Sequence, residues 1–188
     1  MHIDKKRACL RSGLVRVFRI AAAAAACFAC WMAMSDVPDA GAESRQPAVQ
    51  DSPRQAPNSR VTLALPTGFE PAKLYSGFEN ERRGISFVIF EAPATAYAEM
   101  AQGFTPETLA KRGIVDAERG TLTREGEYVY MRARQSSPAG SFAKFFILFP
   151  TADQTVLVTA NVPETVIETG AMKRVDIERV LASASTVA

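Results

Sequence analysis

The sequence predicts an α+β fold: a mainly antiparallel sheet, built as a meander and flanked by helices. Three observations carry that expectation. Four apolar stretches between Ile114 and Val162 follow one another with only turn-like segments between them, a pair of short helical segments precedes them, and a broad apolar stripe at helical spacing closes the chain.

The first strand begins at Arg60, where Val61, Leu63 and Leu65 alternate with Thr62 and Ala64 until Pro66 stops the run. Thr67-Gly68-Phe69 makes a turn, Leu74 to Phe78 forms a short extended piece, and the polar segment Glu79 to Gly84 turns the chain into a strongly apolar strand, Ile85 to Glu91. Thr95 is positioned to cap a short helix carrying Tyr97, Met100 and Phe104. Thr105 caps a second, with Pro106 at its first position and Gly113 at its end. Strands over Ile114 to Arg124, Glu127 to Gln135, Ser141 to Phe149 and Thr155 to Val162 follow, joined by Glu125-Gly126, by Ser136 to Gly140 and by Thr151 to Gln154. From Glu164 to Ser185, Ile167, Ala171, Val175, Ile177, Val180, Leu181 and Ala184 line one side of a helix that Gly170 interrupts in its early turns.

Upstream of the folded part the chain has a different character. Lys5, Lys6, Arg7, Arg11, Arg16 and Arg19 precede an apolar run from Ile20 to Met34, too short for a membrane-spanning helix but suited to the core of an export signal. Ala40-Gly41-Ala42 supplies a small-x-small cleavage pattern, which places a signal peptide over residues 1–42 and the mature start at Glu43, with Ala33 or Ser35 as earlier possibilities for the last residue removed. The alternatives fit less well. An inner-membrane anchor through residues 20–34 would keep the same orientation. A lipoprotein would need Cys27 or Cys30, neither of which has leucine three residues before it, and an alanine core suits export better than a mitochondrial transit peptide. Residues 43–59, rich in Pro, Ser, Gln and Ala, read as a disordered linker, and 60–188 as the α+β domain.

This division changes the chemistry available. Six of the 22 basic and three of the 20 acidic residues lie at or before Ala42, which leaves 16 against 17 and a net charge of −1. Nucleic-acid binding loses its electrostatic basis. All three cysteines, the one histidine and the one tryptophan also precede Ala42, so no disulfide can form within the remainder. Catalysis by Ser-His-Asp or Cys-His and the usual zinc ligand sets have no residues to draw on there. No phosphate-binding glycine loop is present. Carboxylates are what remain for acid or base work, and Glu79, Glu81, Asp116, Glu118, Glu125 and Glu127 fall largely in turns, where acids are ordinarily solvated. Arg82-Arg83 sits beside Glu79 and Glu81 and reads as a mixed-charge loop. Phe142 and Phe146 share one strand face and Phe145 and Phe149 the other, the pattern of a central strand covered on both sides.

Pairing the meander strands across their turns suggests one site. If Ser136 to Gly140 is a five-residue turn, Arg132 faces Lys144, with Arg119 and Asn161 at the ends of the same row and Arg134 beside it. The opposite face would then carry Val129, Met131, Ala133, Phe145, Ile147, Val156 and Val158 as core. Like charges directly opposite one another destabilise a sheet, so Arg119, Arg132, Arg134, Lys144 and Asn161 need water, internal carboxylates such as Asp176 or Glu178, or an anionic partner.

The opening strand ending in Leu65-Pro66-Thr67-Gly68-Phe69, the helix after Glu91, the meander and the terminal helix after Val162-Pro163 together resemble the PsbP-like and DcrB-like superfamily of exported α+β domains, over residues 60–186. That resemblance implies a sheet flanked by helices and a non-catalytic accessory role in an extracytoplasmic complex; it carries no functional residue onto a position here. The function expected is therefore that of a periplasmic or secreted accessory or binding protein working through an envelope protein partner. A carrier of a small apolar or anionic ligand is the alternative, and a carboxylate-only enzyme is third. No catalytic residue, metal or cofactor is expected, and membrane contact only through the leader if it is retained.

Overall fold

A computed structural model of the chain describes residues 52–187. Residues 1–42, where the sequence predicts an export signal, and the predicted linker up to Asp51 lie outside the described residues. The described residues form two antiparallel sheets, with strand orders β1-β2-β10 and β3-β4-β5-β9-β8-β7-β6. The strands are β1 (Pro53–Gln55), β2 (Val61–Ala64), β3 (Glu70–Pro71), β4 (Gly77–Asn80), β5 (Ile85–Pro93), β6 (Ile114–Arg119), β7 (Val129–Ser137), β8 (Gly140–Pro150), β9 (Gln154–Pro163) and β10 (Ser185–Thr186). Helices α1 (Tyr97–Gly103) and α2 (Pro106–Ala110) fill the crossover between β5 and β6, and α3 (Glu164–Glu168) and α4 (Arg174–Ala182) follow β9. This is the α+β class that the sequence predicts, and β6 to β9 form the meander.

Over β7 and β8 the larger sheet is covered on both sides, as the phenylalanine spacing in β8 requires. Phe145, Ile147 and Phe149 pack with Ile177, Val180 and Leu181 of α4 and with Val61 and Leu63 of β2. On the opposite face, Met131, Phe146 and Leu148 pack with Leu109 of α2 and with Tyr97, Met100 and Phe104 at α1. Phe104 meets Phe146 edge-on at 5.3 Å between ring centres. Burying each such side chain contributes about 1.5–3 kcal/mol, and the sheet gathers this from two sides.

Several expected boundaries move. Ordered structure begins before Arg60: β1 lies within the predicted linker and pairs with β2, Arg54 opposite Leu63. Ala56 behind it is buried, Arg54 Nη2 donates to the Phe69 carbonyl at 2.7 Å, and its guanidinium lies 5.0 Å from the centre of the Phe78 ring. These contacts to residues far along the chain outweigh a polar local composition. Thr95 does not cap α1; it sits in a 3-10 turn, Ala94–Ala96, that runs straight into the helix. Thr105 does cap α2, its hydroxyl accepting from the Thr108 amide at 3.3 Å. Gly170, with φ +71, separates α3 from α4, and buried Met172 anchors the break; Val175, expected in the apolar stripe, is exposed.

Two turns differ in a way that matters for the site. Ser136 and Ser137 belong to β7 and pair with Ser141 and Gly140, so the hairpin is closed by Pro138 and Ala139 and the five-residue turn does not form. In place of a tight Glu125-Gly126 turn, a loop from Gly120 to Tyr128 joins β6 to β7. Its shape is held by the Tyr128 hydroxyl, which accepts from the Leu122 amide and donates to the Leu122 carbonyl, both at 2.9 Å.

Candidate functional site

The shorter turn slides β8 by one residue against β7 and so turns its side chains over relative to the expected pairing. Arg132 stands opposite Phe145 and Arg134 opposite Ala143, while Lys144 stands opposite Ala133. Lys144 does face Asn161, as expected. Arg119 pairs with Met131, and it is Glu118 that faces Arg132. The predicted basic row is therefore two groups: Arg132 and Arg134 on the α3–α4 side, and Lys144, Asn161 and Arg119 on the other. The expected core face divides in the same way, with Val129, Met131 and Ala133 beneath α1 and α2 and Phe145, Ile147, Val156 and Val158 beneath α4.

On the α3–α4 side the two arginines line an open cleft of about 410 Å³, within the roughly 300–1,000 Å³ common for ligand sites. Its floor is Ala143, Phe145 and Ile167, and Arg174 and Glu168 stand at its rim. Both arginines are held by carboxylates. Arg134 Nε and Nη2 donate to Glu164 Oε1 and Oε2 at 2.6 and 3.2 Å, and Asp116 Oδ2 lies 3.4 Å from Nη1. Arg132 Nη2 lies 2.8 Å from Glu118 Oε1, and its Nη1 is 3.9 Å from Glu178. The hydrogen bonds it donates to Glu164, and then the Glu164 charge, hold the Arg134 guanidinium above its ordinary range. Arg132 Nε is buried with no acceptor among the described residues.

Local structure explains why these carboxylates arrive together. The β6–β7 register slips between Val115 and Glu118, and Asp116 takes φ +53. Asp tolerates this left-handed conformation better than most residues. The bulge lets Asp116 and Glu118 each reach a guanidinium on the neighbouring strand. Glu164 is the first residue of α3, directly after Pro163 ends β9. Of the acidic positions considered from sequence, Asp116 and Glu118 are brought into the cleft, Glu125 and Glu127 stay exposed in the β6–β7 loop, and Glu81 lies 3.8 Å from Lys73. Glu164 and Arg174 were not expected at a site, and Ile167 was read as part of the apolar stripe of the terminal helix; the Pro163-Glu164 step, a strand end running into an acidic helix start, was the available signal. Among the described residues no group of three or more His, Cys, Asp or Glu is placed to hold a metal ion.

Beside the cleft, Tyr130 is buried and donates to Glu178 Oε1 at 2.8 Å. Burial and that carboxylate push the phenol well above its ordinary pKa of 10. The folded state thus retains a proton that the unfolded state loses, so the contribution is fully present below about pH 10 and declines as pH rises from there toward the folded-state value. Tyr130→Phe should cost about 1–2 kcal/mol at neutral pH, and its stability should fall less than that of the wild type between pH 8 and pH 11. Urea midpoints at the two pH values test this; parallel losses in both proteins would contradict it.

The other face carries a chain of hydrogen bonds across three strands: Lys144 Nζ donates to Asn161 Oδ1 at 2.6 Å and Asn161 Nδ2 donates to Ser86 Oγ at 2.9 Å. The ammonium at one end fixes which way the Asn161 amide points. Nearby, Tyr75 donates to Glu79 Oε2 at 3.3 Å. Burial lowers the Lys144 pKa. Arg119 stands apart, its Nη2 donating to the Phe104 carbonyl at 3.4 Å.

No family model and no curated protein matches the chain. Among solved structures it is similar to LpqN, a protein involved in cell envelope biogenesis of Mycobacterium tuberculosis, at 16% identity over 70% of this chain and 86% of that one, with a TM-score of 0.43.

Proposed function

We propose that this is a non-catalytic binding or accessory protein of the cell envelope, acting outside the cytoplasm, and that the cleft between β6–β8 and α3–α4 receives a mixed-charge segment of a protein partner. The observation that carries this reading is the state of the two arginines. Both are fixed in place by carboxylates before any partner arrives. Fixed guanidiniums lose little freedom when a partner's oxygen atoms reach their open sides. Arg132, Arg134 and Arg174 line the cleft together with Asp116, Glu118, Glu164 and Glu168, so a purely anionic ligand would meet as much repulsion as attraction. The basic, apolar and small-x-small pattern of residues 1–42 and the resemblance to PsbP-like and DcrB-like domains support the envelope location.

A test is affinity capture from the native envelope using the full chain as bait, beside Arg134→Gln and Glu164→Gln. Both substitutions sit on an exposed ion pair, so folding should persist while capture falls severalfold and the wild-type interaction weakens with added salt. Equal capture by all three baits, or capture indifferent to salt, would remove the cleft from the reading. The cleft's volume also suits a small ligand, the carrier alternative; a small molecule found by mass spectrometry in the wild-type eluate and missing from Arg134→Gln would favour it.

A further inference from the structure

The face of the larger sheet that carries α1 and α2 is covered over β6 to β8, where α1 packs on β8 and α2 on β6. Toward β5 and β9 it stays open. There Phe90 is 54% exposed and Val88, Thr159, Asn161 and Ser86 are partly exposed. The sheet register orders these side chains: Ser86 stands opposite Asn161, Val88 opposite Thr159 and Phe90 opposite Leu157. Lys144 lies next to Asn161 on β8. The open face therefore has a cationic end at Lys144 and an apolar end at Phe90, four residues along β5 from the Lys144–Asn161–Ser86 row, or roughly 13 Å at the usual strand rise.

Lys144 differs from the ion-paired cations of the described residues. Arg60, Arg132, Arg134 and Arg179 each have a carboxylate partner. Lys144 is half-buried and holds one hydrogen bond, to a neutral amide oxygen. An ammonium carries three donors, so two remain. The chain from Lys144 runs through Asn161 to Ser86, both neutral, and offers the ammonium no carboxylate at contact distance. A half-buried charge without a counter-charge is costly, and a bound carboxylate would relieve that cost.

We propose that this face binds an acyl-chain carboxylate, its head group on Lys144 Nζ and its hydrocarbon chain along Val88, Thr159 and Phe90. One positive charge with two spare donors suits a monoanionic carboxylate better than a dianionic phosphate, and the apolar strip beside it suits an extended chain. The site lies on the opposite side of the sheet from the cleft and uses none of its residues.

Calorimetric titration of the purified full chain with sodium laurate, below micelle-forming concentrations, tests the proposal. Saturable binding at one equivalent is expected, weakening with salt and about ten- to a hundredfold tighter than that of dodecanol, which lacks the charge. Lys144→Gln should weaken laurate binding by a similar factor and Phe90→Gln severalfold, whereas Lys144→Arg and the surface control Lys111→Gln should retain it. Absence of saturable binding, equal affinity for laurate and dodecanol, or an unchanged affinity in a folded Lys144→Gln would overturn it. If Lys144→Gln does not fold, the comparison of laurate with dodecanol on the wild type decides. Capture through the cleft can succeed or fail whatever this titration shows.

Discussion

Gly77→Ala should remove a large share of the protein's stability, with an expected loss of at least about 3–4 kcal/mol against a typical total of about 5–15. Gly77 opens β4 with φ +147, a backbone conformation that residues with a side chain rarely adopt. An added Cβ would fall on the carbonyl oxygen of Phe87, with the Phe87 carbonyl carbon at 3.0 Å and Tyr75 Cε2 at 3.3 Å. The obstacle is backbone in the middle of a paired strand, so it cannot swing aside. Gly77 stands opposite Val88, and on either side the Ile89 amide donates to the Ser76 carbonyl at 2.8 Å and the Ala72 amide to the Gly77 carbonyl at 3.0 Å. Relief would require separating β4 from β5 and disturbing Phe78 and Phe87, both fully buried. Chemical denaturation followed by far-ultraviolet circular dichroism measures the loss. A change below about 1 kcal/mol would mean that this strand pair yields easily, contrary to the packing described.

Arg124→Ala carries the next largest expectation, about 2–4 kcal/mol. Arg124 belongs to the β6–β7 loop, and its Nη1 donates to the carbonyls of Ala182, at 3.3 Å, and Ala184. These lie at the C-terminal end of α4, where the helix dipole favours a cation. The guanidinium carbon sits 4.1 Å from the centre of the Phe149 ring, which is itself buried. One side chain thus ties a loop, a helix end and the core together, and removing it leaves carbonyls and an aromatic face without a partner. Lysine should restore little, since a single ammonium cannot both bridge the carbonyls and lie flat on the ring. Thermal or urea unfolding gives the magnitude, and limited proteolysis should find the 120–128 segment newly accessible. A small loss with no new cleavage would show that the loop is held by Tyr128 alone.

How much of this was legible in the sequence depends on which interactions set each feature. Strand and helix order was readable because the apolar spacing of β2, β5 and β7 to β9, the Thr105-Pro106 start and the Gly113 end are local signals. Even the double cover of β8 could be read from Phe142, Phe145, Phe146 and Phe149. The site was less accessible because it depends on register, and register depended on whether Ser136 and Ser137 close the turn or extend the strand. Serine is at home in both settings, so composition could not decide. One residue of slip placed Arg132 and Lys144 on opposite faces of the sheet. Asp176 and Glu178 were both candidates to neutralise the basic residues; Glu178 lies 3.9 Å from Arg132, whereas Asp176 pairs with Arg179 of its own helix. Glu164 and the Asp116 bulge were not foreseen, because a bulge is a property of two strands together. The strand at Pro53 was missed for a related reason, its partners lying at Leu63, Phe69 and Phe78.

The smaller sheet has a consequence for the order in which the protein can be completed. β2 is its central strand, yet its two neighbours come from opposite ends of the described chain, β1 just before it and β10 at Ser185–Thr186. Thr62 already waits for Ser185, its hydroxyl 2.8 Å from the Ser185 hydroxyl, and the Ala64 amide donates to Ser183 Oγ at 2.9 Å. A chain emerging from its N-terminal end, whether from a ribosome or through a membrane pore, therefore holds β2 with one edge unpaired until Ser185 and Thr186 have appeared. Contacts of such long sequence separation form late and slow the final step. During that interval Val61 and Leu63, fully buried at the end, have neither α4 nor β10 to cover them. The segment from Ser183 to Thr186 thus acts as a closing latch, and a nascent chain stopped before Ser183 would expose an apolar strand edge of the kind that chaperones bind.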